Sequence, residues 1–234
     1  AWSTIDALGA SDAKVTTDTT VTVQLLGSLQ KGVPVGEGNF ADPFVLVDDP
    51  EVQGLLALML LHHARRRSRT RADGSIVPLA DQDRGLWDTR SIAEGIDTLH
   101  AALARDQLGE YQAQAAIAAL HADAARVEET DWPQIVEWYD ELLRFADTPV
   151  VRLNRAVAVG EAQGAAAGLA ALAEIEAGVP RREAVDAHLH ERLGDLAAAA
   201  RLYATAAHHA PNLAERDHLT RQAARLHQQL SRDQ

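Results

Sequence analysis

Apolar residues recur at helical spacing over most of the chain, and one stretch organises the rest. From Pro50 to Asp88 the sequence reads PEVQGLLALMLLHHARRRSRTRADGSIVPLADQDRGLWD. Leu55, Leu58, Met59, Leu61 and Ala64 follow the i, i+3, i+4 rhythm of a buried helix face, over Glu51 to about Arg67. Leu56 and Leu60 widen that face, so both sides of the helix are expected to pack against neighbours. Pro50 suits the first turn, where its missing N–H costs nothing. Asp73-Gly74 signals a turn, followed by the polar loop Asp81-Gln82-Asp83-Arg84, with Trp87 and Asp88 behind it.

The helical pattern continues to the end. Asp88 or Thr89 can cap a helix running to about Arg105, with Ile92, Ile96, Leu99 and Leu103 inward. A helix from Tyr111 to about Val127 turns Ala113, Ala116, Ile117, Leu120 and Ala124 inward. Thr130-Asp131-Trp132-Pro133 starts the next, with Ile135, Trp138, Tyr139, Leu142 and Leu143 as its stripe. Pro149 opens another that ends near Gly164, and a shorter one spans about Ala166 to Ala177.

The clearest repeat lies near the end. Gly194-Asp195-Leu196, Ala199, Tyr203, Ala206 and Pro211-Asn212 match the second half of a tetratricopeptide repeat, and Ala187 sits where its first helix needs a small residue. Asp131 to Leu142 and Leu153 to Leu172 carry weaker versions, and about Asn212 to Leu230 reads as a polar capping helix. The expected fold is all-α: tetratricopeptide-like antiparallel helix pairs in a superhelical array over 50–234.

The first 49 residues differ. The two lysines, Lys14 and Lys31, lie there, whereas every arginine and all 10 histidines lie beyond residue 60. Val15, Thr17, Thr19, Val21, Val23 and Leu25 alternate with polar residues, a strand signal, and glycines and prolines follow. Residues 1–49 are therefore read as an N-terminal arm or a segment of separate origin, with strand and linker.

Composition narrows the function classes. A net charge of −12 disfavours nucleic acid and anionic membranes as partners of the whole chain. Without cysteine there are no disulfides, thiolate metal sites or cysteine nucleophiles, which fits a cytoplasmic protein. No apolar run reaches membrane-spanning length. His188 and His190, two apart on a helix, point to different sides, and the adjacent pairs His62-His63 and His208-His209 share that problem. They are read as surface histidines, and no metal, cofactor or catalytic residue is assigned.

Five stretches together carry a resemblance: EVQGLLALMLLHHARR at 51–66, LADQDRGLWD at 79–88, YQAQAAIAALHA at 111–122, TDWPQIVEWYDELL at 130–143 and PVVRLNRAVAV at 149–159. With the Leu193-Gly194-Asp195 repeat, this region resembles the C-terminal extension of a subgroup of extracytoplasmic-function sigma factors that carries tetratricopeptide-like helices. The resemblance covers about four-fifths of the chain, from about Asp49 onward. It implies a bacterial protein linked to transcription initiation. In that family the polymerase-binding and promoter-reading regions precede the extension; the 49 residues here resemble neither, so no direct DNA binding is expected.

The expected function is a regulatory interaction domain whose partner is a sigma core, RNA polymerase or a signalling protein. The candidate contact residues are Asp81, Asp83, Arg84, Trp87 and Asp88 of the loop, with Arg65 and Arg66 of the arginine run. A loop on a rigid scaffold is a common place for function. The alternative is a helical enzyme or small-molecule-binding protein with a charged pocket around 81–88 and the N-terminal segment as its lid.

Overall fold

The computed structural model describes residues 49–72 and 74–232. The expected strand and linker before residue 49, and Asp73 of the expected turn, lie outside the described residues. Among the described residues the fold is all-α. Nine α-helices follow one another: α1 Pro50–Ala64, α2 Thr89–Leu103, α3 Glu110–Asp123, α4 Trp132–Phe145, α5 Pro149–Gln163, α6 Ala165–Ala173, α7 Arg182–Leu193, α8 Leu196–His209 and α9 Leu213–Arg232. None is long and apolar enough to cross a membrane.

The chain's own side chains set most helix starts. Asp49, Asp88, Asp131, Thr148 and Asp195 each accept a hydrogen bond from a first-turn N–H of the helix that follows. These satisfy donors that the helix leaves without an internal partner. Proline in the first turn supports α1, α4 and α5. Between α7 and α8, Gly194 takes φ +88°, a left-handed turn that suits glycine, and Asp195 then caps α8.

Three helices end earlier than periodicity predicts, and at each end side chains take carbonyls at or just beyond the last turn. α3 stops at Asp123 rather than near Val127: Arg84 Nη1 donates to His121 O at 2.6 Å and Ala124 O at 2.7 Å. α6 stops at Ala173 rather than near Ala177, where Arg182 donates to Ile175 O at 3.2 Å and Leu172 O at 3.4 Å. α1 stops at Ala64 rather than near Arg67, and the Ser68 backbone N–H and hydroxyl both donate to Arg65 O.

Packing runs from neighbour to neighbour along the chain: α1 against α2 and α3, then each helix from α3 to α8 against the next. The core is correspondingly a series of linked clusters. Ala57, Leu99, Ala115 and Ala116 join α1 to α3; Ile117, Ile135, Tyr139, Leu142 and Val151 join α3 to α5. Leu153, Leu172, Val185 and Leu189 continue into α7, and Ala187, Ala199, Tyr203, Leu219 and Leu226 close against α9. Alanine and glycine at the crossings let helix axes approach closely, which lowers aromatic demand in the core.

The expectation for α1 needs correction. Of the expected face, Leu61 and Ala64 are buried and Leu58 packs against the core, but Gly54 and Ala57 take the inward positions in place of Leu55 and Met59. Small residues win the inward position because α3 comes too near for larger ones: a Cβ on Gly54 would lie 2.7 Å from the Gln112 backbone nitrogen. Leu55 and Met59 are only half-buried, and Leu56, expected to pack, is 45% exposed.

Replacing Gly54 with Ala should therefore overpack the α1–α3 crossing and cost about 1–3 kcal/mol, read as a lower urea midpoint with unchanged slope. An unchanged midpoint would show that α3 can retreat freely.

Candidate functional site

The segment between α1 and α2 is a long connection held against the helices on both sides. A short antiparallel bridge pairs Thr70 with Ile76, and Val77 N–H returns to Arg69 O at 2.9 Å. Two single-turn 3-10 helices follow, Leu79–Asp81 and Arg84–Leu86. Asp88 N–H then donates to Ala64 O at 3.0 Å, which joins the end of the loop to the end of α1.

Trp87 is the anchor, 6% exposed. Its indole Nε1–H donates to Ser68 Oγ at 2.9 Å, and the same hydroxyl donates to Arg65 O at 2.9 Å. Gln82 is buried beside it, with Oε1 3.2 Å from Ser68 Oγ and Nε2 donating to Val77 O at 3.1 Å. The Arg84 guanidinium carbon lies 4.5 Å from the Trp87 ring centroid and that of Arg65 lies 6.0 Å away. Cations over the face of an indole are attracted by its quadrupole, more strongly when both are withdrawn from water. Arg65 is 3% exposed, so one member of the arginine run is buried in the fold and not on a solvated helix end.

Arg84 also reaches α3, through the two carbonyl bonds that end that helix. Burial pulls its pKa down from the ordinary arginine value, and the charges of Glu128 and Glu129 act against that. The carbonyl His121 contributes belongs to a buried residue whose ring stands edge-on to Trp132 at 5.2 Å. Burial, with Arg65 and Arg84 nearby, pushes the His121 imidazole down to about 3. His62 on α1 is pushed down to about 3 by burial and by Arg65 and Arg69.

The predicted site residues thus divide. Arg65, Arg84 and Trp87 converge in one stack. Asp83 Oδ1 accepts from Gly85 N–H at 2.9 Å, and Asp88 Oδ1 accepts from Arg90 and Ser91 N–H at 3.1 and 3.2 Å. Those bonds, Ser91 foremost, hold the Asp88 carboxyl below the usual carboxylate range. Arg66 reaches Asp88 only at 3.9 Å. Asp81 and Asp83 are exposed, and Asp81 acts electrostatically on His218 of α9. Sequence reasoning missed Ser68, Gln82 and His121, which complete the anchor, and Leu86, which is 47% exposed at the loop surface. A polar residue flanked by charges carries no periodic signal that would mark it as buried.

The histidines also need correction. His62 is half-buried, and His188 is largely buried with Nε2 3.1 Å from Glu161 Oε1, a carboxylate that Arg192 also holds at 3.0 Å. His190 lies 3.4 Å from Asp186 on its own helix. Among the described residues no group of three or more His, Cys, Asp or Glu is placed to hold a metal ion.

Residues 44–103 match a family model described as "Family of unknown function (DUF6596)". The match contains α1, the loop and α2, and so the whole Arg65–Trp87–Arg84 stack; the α3 carbonyls that Arg84 reaches lie beyond it. An uncharacterized protein of Rhizobium meliloti (strain 1021) is 50% identical over 122 residues, covering 52% of this chain and 29% of that protein. The chain thus spans less than a third of the length of the curated relative it matches. No solved structure matches the chain.

Two outcomes follow for this anchor. Trp87→Phe keeps an aromatic face but strands Ser68, an expected loss of about 1–2 kcal/mol; Trp87→Ala should cost about 3–5 kcal/mol. No loss in urea unfolding for Trp87→Phe would deny the indole N–H any part. For His121, protonation is suppressed in the fold but free from 6.5 downward in the unfolded chain. The unfolded state then binds more protons, so stability falls as pH drops from 6.5 toward 3. His121 contributes at most about 1.4 kcal/mol per pH unit to that slope, and His121→Gln should remove its share in thermal unfolding while leaving that of His62.

Proposed function

We propose that this chain is a regulatory protein-interaction module of a sigma-factor-like protein, built of tetratricopeptide-like helix pairs and acting on transcription initiation through protein contacts. Its partner is a sigma core, RNA polymerase or a signalling protein, and the described helices are given no promoter-reading part. The observation that carries the reading is the buried Arg65–Trp87–Arg84 stack, which fixes the loop against α1 and α3. A fixed loop presents Asp81, Asp83 and Leu86 to solvent without having to be ordered on binding, and preorganisation of this kind lowers the entropic cost of association. Arg65, Arg84, Trp87 and Asp88 act in this reading as the support, and Asp81, Asp83, Leu86 and Arg66 as the contact surface.

The order and spacing of the five resembling stretches support the link to sigma factors, and the matched family region holds the first two. The exposure of Asp81 and Asp83 favours a contact surface over an enclosed charged pocket, so the enzyme reading gains no support from the loop.

The test is capture of purified bacterial RNA polymerase, with and without sigma factor, by this chain. A specific complex should form, and the double variant Asp81→Ala, Leu86→Ala should weaken it at least about tenfold while far-UV circular dichroism and the urea midpoint stay unchanged. Retention of full affinity by that variant would remove the loop from the interface, and absence of any complex would remove the transcription reading.

A further inference from the structure

α1 opens the described array with an apolar face turned outward. At 100° per residue, Gly54, Ala57, Leu61 and Ala64 share the inner side, and Val52, Leu55, Leu56 and Met59 fall opposite at i, i+3, i+4, i+7. None of those four is buried, and Leu56 is 45% exposed. The other end of the array is finished differently. α9 turns Arg216, Asp217, Thr220, Arg221, Ala224 and Arg225 to solvent, the polar outer face expected of a terminal helix in a stack. α1 has no such face, so it is not built as a terminus.

The charge beside the stripe says what covers it. His63 is exposed in the last turn of α1, and the exposed Arg66 and Arg67 follow directly after the helix end. No acidic residue lies on the outward side of α1, since Glu51 accepts from the Tyr111 N–H of α3 at 2.7 Å. In a chain of net charge −12, an apolar stripe leading into cations is a local reversal of sign. We propose that the outward face of α1 docks an amphipathic helix of a partner protein, with apolar residues at i, i+3, i+4, i+7 against Val52–Met59 and acidic residues against Arg66 and Arg67. This is the helix-in-groove mode of recognition with an electrostatic register. It shares Arg66 with the contact surface proposed above and stands whether or not the transcription reading holds.

The chain has no cysteine, so Met59→Cys places one environment-sensitive fluorophore on the stripe. The probes are two designed helical peptides with the same leucine stripe, one flanked by glutamate and one by lysine. The acidic peptide should shift the emission saturably, and the basic one should not. Arg66→Glu with Arg67→Glu should weaken the acidic peptide about tenfold, and Leu56→Glu, at an exposed position, should abolish binding with the urea midpoint unchanged. Three results overturn the proposal: neither peptide binds, or both bind alike; the fluorophore is shielded already and becomes exposed on dilution, which makes the occupant a second copy; or it becomes exposed when residues 1–48 are removed, which makes the occupant the chain's own N-terminal segment.

Discussion

The contact on which the rest depends is an indole ring with an arginine stacked on it and a second near it, its N–H given to a buried serine. Each component is costly to bury alone. Arg84 and Arg65 withdrawn from water would carry a desolvation penalty, and an unpaired indole N–H or serine hydroxyl would carry another. Together they offset much of that: the ring offers a face to the cations, Ser68 accepts from the ring, and the Arg65 carbonyl accepts from Ser68. Remove one and the others are left as buried polar groups without partners, so the cluster is kept or lost as a unit.

That cluster decides where helices end as well as where the loop lies. By taking the carbonyls of His121 and Ala124, Arg84 serves as an external C-cap for α3. Through Asp88 N–H on Ala64 O, the same loop closes α1. A segment with little regular structure thus fixes the relation of three helices, and two histidines pressed into the same region are kept neutral by it. Burial first, and then the positive charge gathered there, make the neutral imidazole the compatible form, which couples this corner of the fold to pH.

Much of the fold was legible because its signals are local. The caps at Asp88, Asp131 and Asp195, the prolines at α1, α4 and α5, and the small and aromatic positions Ala187 and Tyr203 act within a turn or a helix pair of where they stand. The candidate site was legible only as a set of names. Asp81, Asp83, Arg84, Trp87 and Asp88 stood out as a charged loop with one large aromatic, but nothing in their order separates a residue that holds the loop from one that the loop displays. Arg84 and Arg65 look like surface charges until the ring between them is placed. Leu86 looks like a core residue until it is found outside.

By itself the sequence determined most helix starts among the described residues, because 3.6-residue periodicity and side-chain caps are properties of neighbouring residues. It also determined that the last helix is polar on its outer side. Only the tertiary structure decided that Gly54 and Ala57 join Leu61 and Ala64 on the inward side of α1, and the reason is distance: at Gly54 α3 approaches until not even a Cβ fits, so Leu55 and Leu56 are turned away there. The tertiary structure likewise decided the end of α3, since the group that closes it comes from a residue well apart in the chain. Amphipathic pattern ranks faces by hydrophobicity, whereas a packed core also ranks them by size.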